Sequence, residues 1–419
     1  MPAPNTRKAG PVQGLTLLSC MTLAVMGALL VAPVIPKMMD AFKTVPNVEY
    51  WVPMVVTIPS LCVAFLSPVA GWLGDRFGRR RLLIPSMAIY SAFGLAPLFL
   101  HDLTHILISR IGVGITEAAV MTLSTTMIGD MFDGQSRDRW LAGQTATAST
   151  SAIAFLFIAG QAGRYGWQGP FVIYAFPLLI MIALILFTWE TGKIGQTSKH
   201  TPEPPHVFAG EVEAPKAVVE NGKIKFPTAF MFGVCLVTLF ASLMFYTIQI
   251  NLSQGLDAIG VKDPGQIGTL TAVASIAVPV GTFVFWLVSK RLPIAVLLLV
   301  EFALMGGAYI GMSKMTEPWP FVGMAACSQI GAGMILPTLL TWAMSRLSFE
   351  VRGIGTGVWQ STFAFGQFAT GIVFAYISKT LNFGIVPTFF VLGVGSLIAA
   401  GLALLAAFVV RSKPAIQPA

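Results

Sequence analysis

The chain has 419 residues, 55% of them hydrophobic and 11% charged, with a formal net charge of +8. A soluble domain carries about 25% charged residues, so this composition excludes an ordinary water-soluble protein. The apolar runs are continuous and do not alternate in pieces of ~10 residues, which excludes a transmembrane β-barrel.

In chain order, the polar start MPAPNTRKAG leads into an apolar run long enough to span a bilayer. It reads as an uncleaved first helix, because a signal peptide has a shorter apolar core and a small-residue cleavage site. Runs of roughly 20 apolar residues, enough to cross ~30 Å of hydrocarbon, are predicted as helices at 14–36, 50–73, 82–100, 105–129, 140–162 and 169–189. After a gap they continue at 227–251, 265–289, 293–313, 320–343, 353–378 and 386–410. Twelve spans place both termini on one side. With that side cytoplasmic, 19 of the 26 lysines and arginines fall in cytoplasmic pieces and 6 in external ones. This is the bias of a multi-pass protein of the inner (cytoplasmic) membrane with N- and C-termini inside. The basic balance is therefore topology, with anionic membrane lipid as its partner and no nucleic acid.

The gap 190–226 holds five acids, five lysines and four prolines, a composition that cannot bury enough surface to fold alone. It reads as a cytoplasmic linker between a bundle at 1–189 and another at 227–419, with a short surface helix possible near its end. The cysteines Cys20, Cys62, Cys235 and Cys327 all fall in apolar runs and read as buried free thiols. The halves are weakly similar. GWLGDRFGRRRLL (71–83) corresponds to FWLVSKRL (285–292), and RWLAGQTATASTSA (139–152) to RGIGTGVWQSTFAF (352–365). Repeated halves around a central site are a transporter architecture.

The run Gly71-Trp72-Leu73-Gly74-Asp75-Arg76-Phe77-Gly78-Arg79-Arg80-Arg81 is the most specific stretch. Gly74 and Gly78 permit a tight turn and close helix approach, and Asp75 suits the positive N-terminal end of a helix. The run resembles the signature loop G-x-x-x-D-R-x-G-R-R of the major facilitator superfamily, and the twelve-span layout fits along essentially the whole chain. The resemblance implies an all-α membrane protein of two pseudo-symmetric six-helix bundles, acting as a monomer. It also implies that Asp75 meets the start of the eleventh span near Gly353, and that a loop arginine, Arg79 or a neighbour such as Arg76, reaches Asp130. Those contacts would latch the outward-open state. The plainer alternative is that the arginines only set topology.

The fourth span carries Arg110 and Glu117. Seven residues turn a helix by about 700°, so both point the same way, ~10.5 Å apart along the axis. Charges facing lipid are costly, so the shared face is expected to line a central cavity. The spacing Arg110-x-x-x-Gly114-x-x-Glu117-Ala118 resembles the anion:cation symporters and the spinster-like lysolipid transporters, where IGDMF (128–132) also fits. That resemblance implies that Glu117 carries protons, with Arg110 as its partner or as an anion contact. A structural charge pair is the alternative. The first span, LTLLSCMTLAVMGALLVAPVIP, lacks the acid both branches usually carry, so a two-carboxylate relay does not transfer. The fifth span lacks the Gly-Pro-x-x-Gly-Gly run usual in drug antiporters of the superfamily, whereas VAPVIPKM in the first looks like such exporters. Glu301, the other deep acid, falls on a ninth span that is peripheral in this fold, and is expected to face a neighbouring helix.

Polar and aromatic residues on spans that line the cavity in the superfamily are candidate substrate contacts. They are Gln144 in the fifth, Tyr246 and Gln249 (with Asn251) in the seventh, and Gln329 and Trp342 (with Thr338) in the tenth. The eleventh adds Trp359, Gln360 and Phe363, with Gln367. The Ser/Thr cluster Thr145 to Ser151 serves helix packing in the simpler reading. No phosphate-binding loop occurs, so ATP is not the energy source. His101 and His105 have metal-like spacing, but a solvated loop is the simpler reading. The chain is thus expected to be a proton-coupled secondary transporter, not an enzyme, without cofactor or metal. It would move a small anionic or amphipathic organic solute, with symport slightly ahead of multidrug or lipid efflux antiport. A non-transporting sensor on the same fold is the remote alternative.

Overall fold

The computed structural model describes residues 9–190, 219–220, 223–224 and 226–412. Eleven described helices are long and apolar enough to cross a membrane. In the first half they are α1 (Pro11–Ala41), α2 (Val48–Phe77), α3 (Arg79–Leu98), α4 (Leu103–Met131), α5 (Gly134–Gly163) and α6 (Gly169–Phe187). The second half has α7 (Thr228–Ala258), α8 (Pro264–Val288), α9 (Ile294–Met312) and α10 (Pro318–Met344). Then come α11 (Phe349–Ala375) and α12 (Ile385–Ser412). Of these, α11 is the one outside the eleven. Its glycines, glutamines and threonines lower its hydropathy, but its 27 residues extend ~40 Å at 1.5 Å per residue, enough to span.

Prolines interrupt the spans where the site is built. In α1 the helix Met21–Leu29 passes through a 3₁₀ turn at Ala32–Val34 into Ile35–Ala41, and α6 opens on a 3₁₀ run, Gly169–Ala175. Such breaks survive in membranes because neighbouring helices re-satisfy the backbone. Within the linker, Val219–Glu220 pairs antiparallel with Lys223–Ile224. The rest of 191–225, where the surface helix was expected, lies outside the described residues. Cys327 is exposed, unlike the buried Cys20; all four thiols are free.

Buried apolar side chains form two main clusters. One is built from α1–α6 and takes in Ile250 of α7 and Ala272 of α8; the other is built from α7–α12. The halves meet along two seams, α5 against α8 and α2 against α11. At the first, a Cβ on Gly160 would lie 2.7 Å from the Gly268 Cα. Beyond it Gln161 Nε2 donates to the Gly265 carbonyl at 3.2 Å, and Arg164 pairs with Asp263 at 2.8 Å. At the second, a Cβ on Gly371 would lie 2.9 Å from Pro53, Tyr50 bonds Thr380, and Lys379 pairs with Glu49 at 3.2 Å. Ser361 Oγ donates to the Ala64 carbonyl at mid-helix, 2.8 Å. These contacts run from mid-helix to the membrane face opposite the termini, here called the far face. Toward the termini face α2 and α11 diverge. A Cβ on Gly353 or Gly357 would meet nothing within 4 Å, and Ile354 is 65% exposed. The halves are therefore closed on the far face.

Candidate functional site

α4 is anchored at its start by Asp102, which accepts a hydrogen bond from the His105 backbone N–H at 3.2 Å. Those bonds hold the exposed Asp102 carboxyl below the usual carboxylate range, the backbone N–H first. His105 Nδ1 lies 2.9 Å from the same carboxylate. Among the described residues no three potential metal ligands cluster.

Four turns into α4, Glu117 is buried, at 5% exposure, with its carboxyl against Gly27 of α1. Its Oε2 has no hydrogen-bond partner. Arg110, Cys62 of α2, Tyr90 of α3, Tyr174 of α6 and Tyr246 of α7 are close enough to couple to it electrostatically. Tyr246 belongs to the second half and packs against the core of the first.

Arg110 takes a different direction. It is fully buried, at 0% exposure. Its Nη2 donates to the Phe93 and Gly94 carbonyls of α3 at 3.1 and 3.3 Å. Its guanidinium carbon lies 4.8 Å from the Tyr174 ring centre and 5.1 Å from that of Phe171. Tyr90 and Tyr174 donate in turn to the Leu23 and Met26 carbonyls of α1 at 3.0 and 3.3 Å. Arg110 and Glu117 form no ion pair. The expectation that both line one cavity face is corrected in this arrangement: Glu117 turns to Gly27 of α1, whereas Arg110 turns to α3 and α6 inside the first bundle. A long helical side chain leans back over the preceding turn, and the 3₁₀ opening of α6 supplies two aromatic faces there. A desolvated cation over such faces gains ~2 kcal/mol.

On the termini face, Gly78 links α2 to α3 at φ +100°, the left-handed region that favours glycine. Gly74 packs against Leu123 of α4. Arg79 pairs with Asp75 at 2.8 Å and also with Asp130, tying α2, α3 and α4 together. Arg76 lies over the Trp72 and Phe77 rings. Asp75 is thus engaged within its own half, and at the start of α11 a Cβ on Gly353, where the contact was expected, would meet nothing within 4 Å. Sequence reasoning missed Glu190. Its carboxylate accepts from the Arg80 and Arg81 backbone N–H groups at 3.2 and 3.1 Å, closing the N-terminus of α3. An acid just past α6, on the same face as this loop, was the available signal.

The other candidates separate. Tyr246, Phe363 and Trp359 form an aromatic file across α7 and α11, with centroid steps of 5.7 and 6.0 Å; Gln360 beside it is exposed. Gln249 accepts from Ser275 at 3.5 Å. Gln144 donates to Thr125 of α4 at 3.1 Å, and Trp342 packs edge-on to Phe230 in the second half. Gln329 is buried with neither amide atom partnered. Glu301 of α9 is buried against α10, where Thr338 bonds it.

A sequence profile described as "Major Facilitator Superfamily" matches residues 17–371. The chain is 26% identical over 171 residues to the tetracycline resistance protein, class B, of Escherichia coli, a match covering 41% of this chain and 42% of that protein. It is 24% identical over 376 residues to multidrug resistance protein 2 of Bacillus subtilis, covering 85% and 88%. In solved structures its fold is similar to that of a bacterial homolog of the human lysosomal transporter spinster in an inward-facing, occupied conformation. There the TM-score is 0.74 at 15% identity, with 96% of this chain and 98% of that one covered.

Proposed function

Because the chain belongs to the Major Facilitator Superfamily, and so is a transporter and not an enzyme, we propose that it is a proton-coupled transporter whose coupling proton is carried by Glu117. One observation carries this reading: a buried carboxyl deep in a membrane span has no ion pair among the described residues and leaves its Oε2 without a hydrogen-bond partner. Removing an ionised carboxylate from water without a partner is costly. Arrival or departure of one proton therefore changes the relative stability of the arrangements that bury and that hydrate Glu117, which is what alternating access requires. Arg110 acts through this site as a fixed positive charge and does not contact the substrate.

With Arg110 sealed, the wall facing the seam offers aromatic rings and amides. We assign the substrate to amphipathic organic molecules and the direction to proton-driven export, a reading supported by the names of the resistance proteins above. The termini face is assigned to the cytoplasm from its excess of lysine and arginine. Symport of an organic anion is the second reading, and the unpartnered Nε and Nη1 of Arg110 favour it.

The test is Glu117→Gln in proteoliposomes. Ligand binding, read by thermal shift, is expected to persist while pH-gradient-driven accumulation disappears. Undiminished gradient-driven transport overturns the proposal, and the sign of the gradient that drives accumulation separates export from symport.

A further inference from the structure

A cavity of about 160 Å³ lies on the far face between the closed halves. Liquid water occupies about 30 Å³ per molecule, so the space suits a small organic molecule. Asp40 of α1 and Glu49 of α2 line it from the first half; Gln254 of α7, Phe374 of α11 and Lys379, just beyond α11, line it from the second. Lys379 is committed to Glu49 across the seam at 3.2 Å. Asp40 has no ion pair or hydrogen bond among the described residues, which leaves one uncompensated negative charge at the wall. Gln254 is 5% exposed and spends its Nε2 on Asn251 Oδ1 at 3.2 Å. Its amide thus supplies polar lining held in place by the second half. A carboxylate without an ion pair beside the apolar ring of Phe374 matches a cation with a compact apolar body. An anion would have to displace Glu49 from Lys379 and approach Asp40.

We propose that this far-face cavity binds a small organic ammonium ion, and that its occupancy favours the arrangement closed on the far face. The second half of the statement follows from the walls. Both halves supply them, so parting the seams dismantles the site, and a ligand shifts a conformational equilibrium by its differential affinity.

The test uses the purified full chain with choline and its uncharged isostere 3,3-dimethylbutan-1-ol, binding being read by calorimetry and thermal shift. Choline is expected to bind saturably and the isostere at least about tenfold more weakly, the factor set by ~1.4 kcal/mol. Asp40→Asn, at an exposed position, is expected to weaken choline by a similar factor, and Glu117→Gln to keep saturable binding, its affinity shifted only as far as the substitution moves the balance of the two arrangements. Equal binding of the isostere, or unchanged affinity in Asp40→Asn, overturns the ammonium site. Loss of choline binding in Glu117→Gln alone places the ligand in the central cavity and overturns it too. In proteoliposomes, choline is expected to slow labelling of Thr269→Cys by an impermeant maleimide from the far face. Unchanged labelling at saturating choline overturns the link to the closed arrangement. Saturable choline binding and its weakening in Asp40→Asn are read without a proton gradient, so failure of this arm and failure of the Glu117 assignment are distinguishable.

Discussion

Gly27 of α1 is seated on the carboxyl of Glu117, so closely that a methyl group at 27 would overlap Oε2. The position of the carboxyl therefore depends on the absence of a side chain one helix away. Gly27→Ala must push Glu117 aside or part α1 from α4, and overpacking of this kind costs ~1–3 kcal/mol. Proton-driven flux is expected to fall by about tenfold or more, with the melting temperature lowered only slightly. Wild-type flux in this variant would show that the contact does not position the carboxyl.

Arg110 is held by two α3 carbonyls and two aromatic rings, away from the wall that faces the seam. Arg110→Met is therefore expected to destabilise the fold by ~1–2 kcal/mol, the worth of a desolvated cation over aromatic rings. It is also expected to reduce coupled transport of neutral and anionic solutes alike. A selective loss for anions, measured as separate changes in KM for a matched pair of substrates, would restore Arg110 to the role of anion contact.

The closest approach across the α5/α8 seam is at Gly160 and Gly268. Gly160→Leu puts a branched side chain where backbone atoms of α8 already lie, so far-face closure is expected to be blocked while each half stays intact. Impermeant thiol reagents should then label far-face cysteines about tenfold faster than in the parent, and transport should stop. Parent-like labelling would mean that the seam closes elsewhere.

The fold was legible because its signals are collective: twelve apolar runs, the distribution of lysine and arginine, and one glycine-arginine loop all agree. The site was legible only in part. The period of α4 predicts the shared azimuth of Arg110 and Glu117, but not that an arginine leans back onto Phe171 and Tyr174, because those rings come from a 3₁₀ turn about sixty residues later. Glu190 was read as linker because its partners are backbone N–H groups, which leave no trace in a side-chain pattern. The contacts between halves at Arg164, Asp263, Glu49 and Lys379 join residues far apart in the chain, and no local pattern links them.

Arg164, through its hydrogen bonds and charge, holds the Asp263 carboxyl below the usual carboxylate range. Asp263 also accepts from the Gly265 and Gln266 backbone N–H groups at the start of α8, each at 3.2 Å. Because the value is lowered on pairing, the contribution of the pair is fully present above the ordinary carboxylate value of about 3.9. It is lost as pH falls through the lowered value. Far-face labelling is therefore expected to be flat between about pH 5 and 8 as far as this pair is concerned. Asp263→Asn is expected to raise labelling a few-fold throughout that range. A step in the wild-type labelling rate near neutrality that disappears in Asp263→Asn would contradict this assignment.

Glu301 and Thr338 share a proton arrangement that the geometry restricts. Thr338 Oγ1 is bonded both to Glu301 Oε1 and to the Met334 carbonyl, the latter at 3.0 Å. A hydroxyl has one proton, so an ionised Glu301 would compete for it with the Met334 carbonyl, which also takes the helical Thr338 N–H. A neutral Glu301 instead donates to Thr338, which donates to Met334, giving an unbroken chain from α9 to α10. The site is fully buried, and no ion pair among the described residues compensates a carboxylate there. Glu301 is thus expected to tie two helices together as a permanent neutral acid, not to exchange protons during transport. Glu301→Gln supplies a donor of similar shape and should keep both flux and its pH profile, with stability changed by less than ~1.5 kcal/mol. Glu301→Ala, which empties the site, should lose ~2–5 kcal/mol. Infrared spectroscopy checks the charge state directly, since a protonated carboxyl band that is independent of pH should vanish in Glu301→Gln. Loss of gradient-driven flux in Glu301→Gln, matching that of Glu117→Gln, would instead make it a second coupling residue.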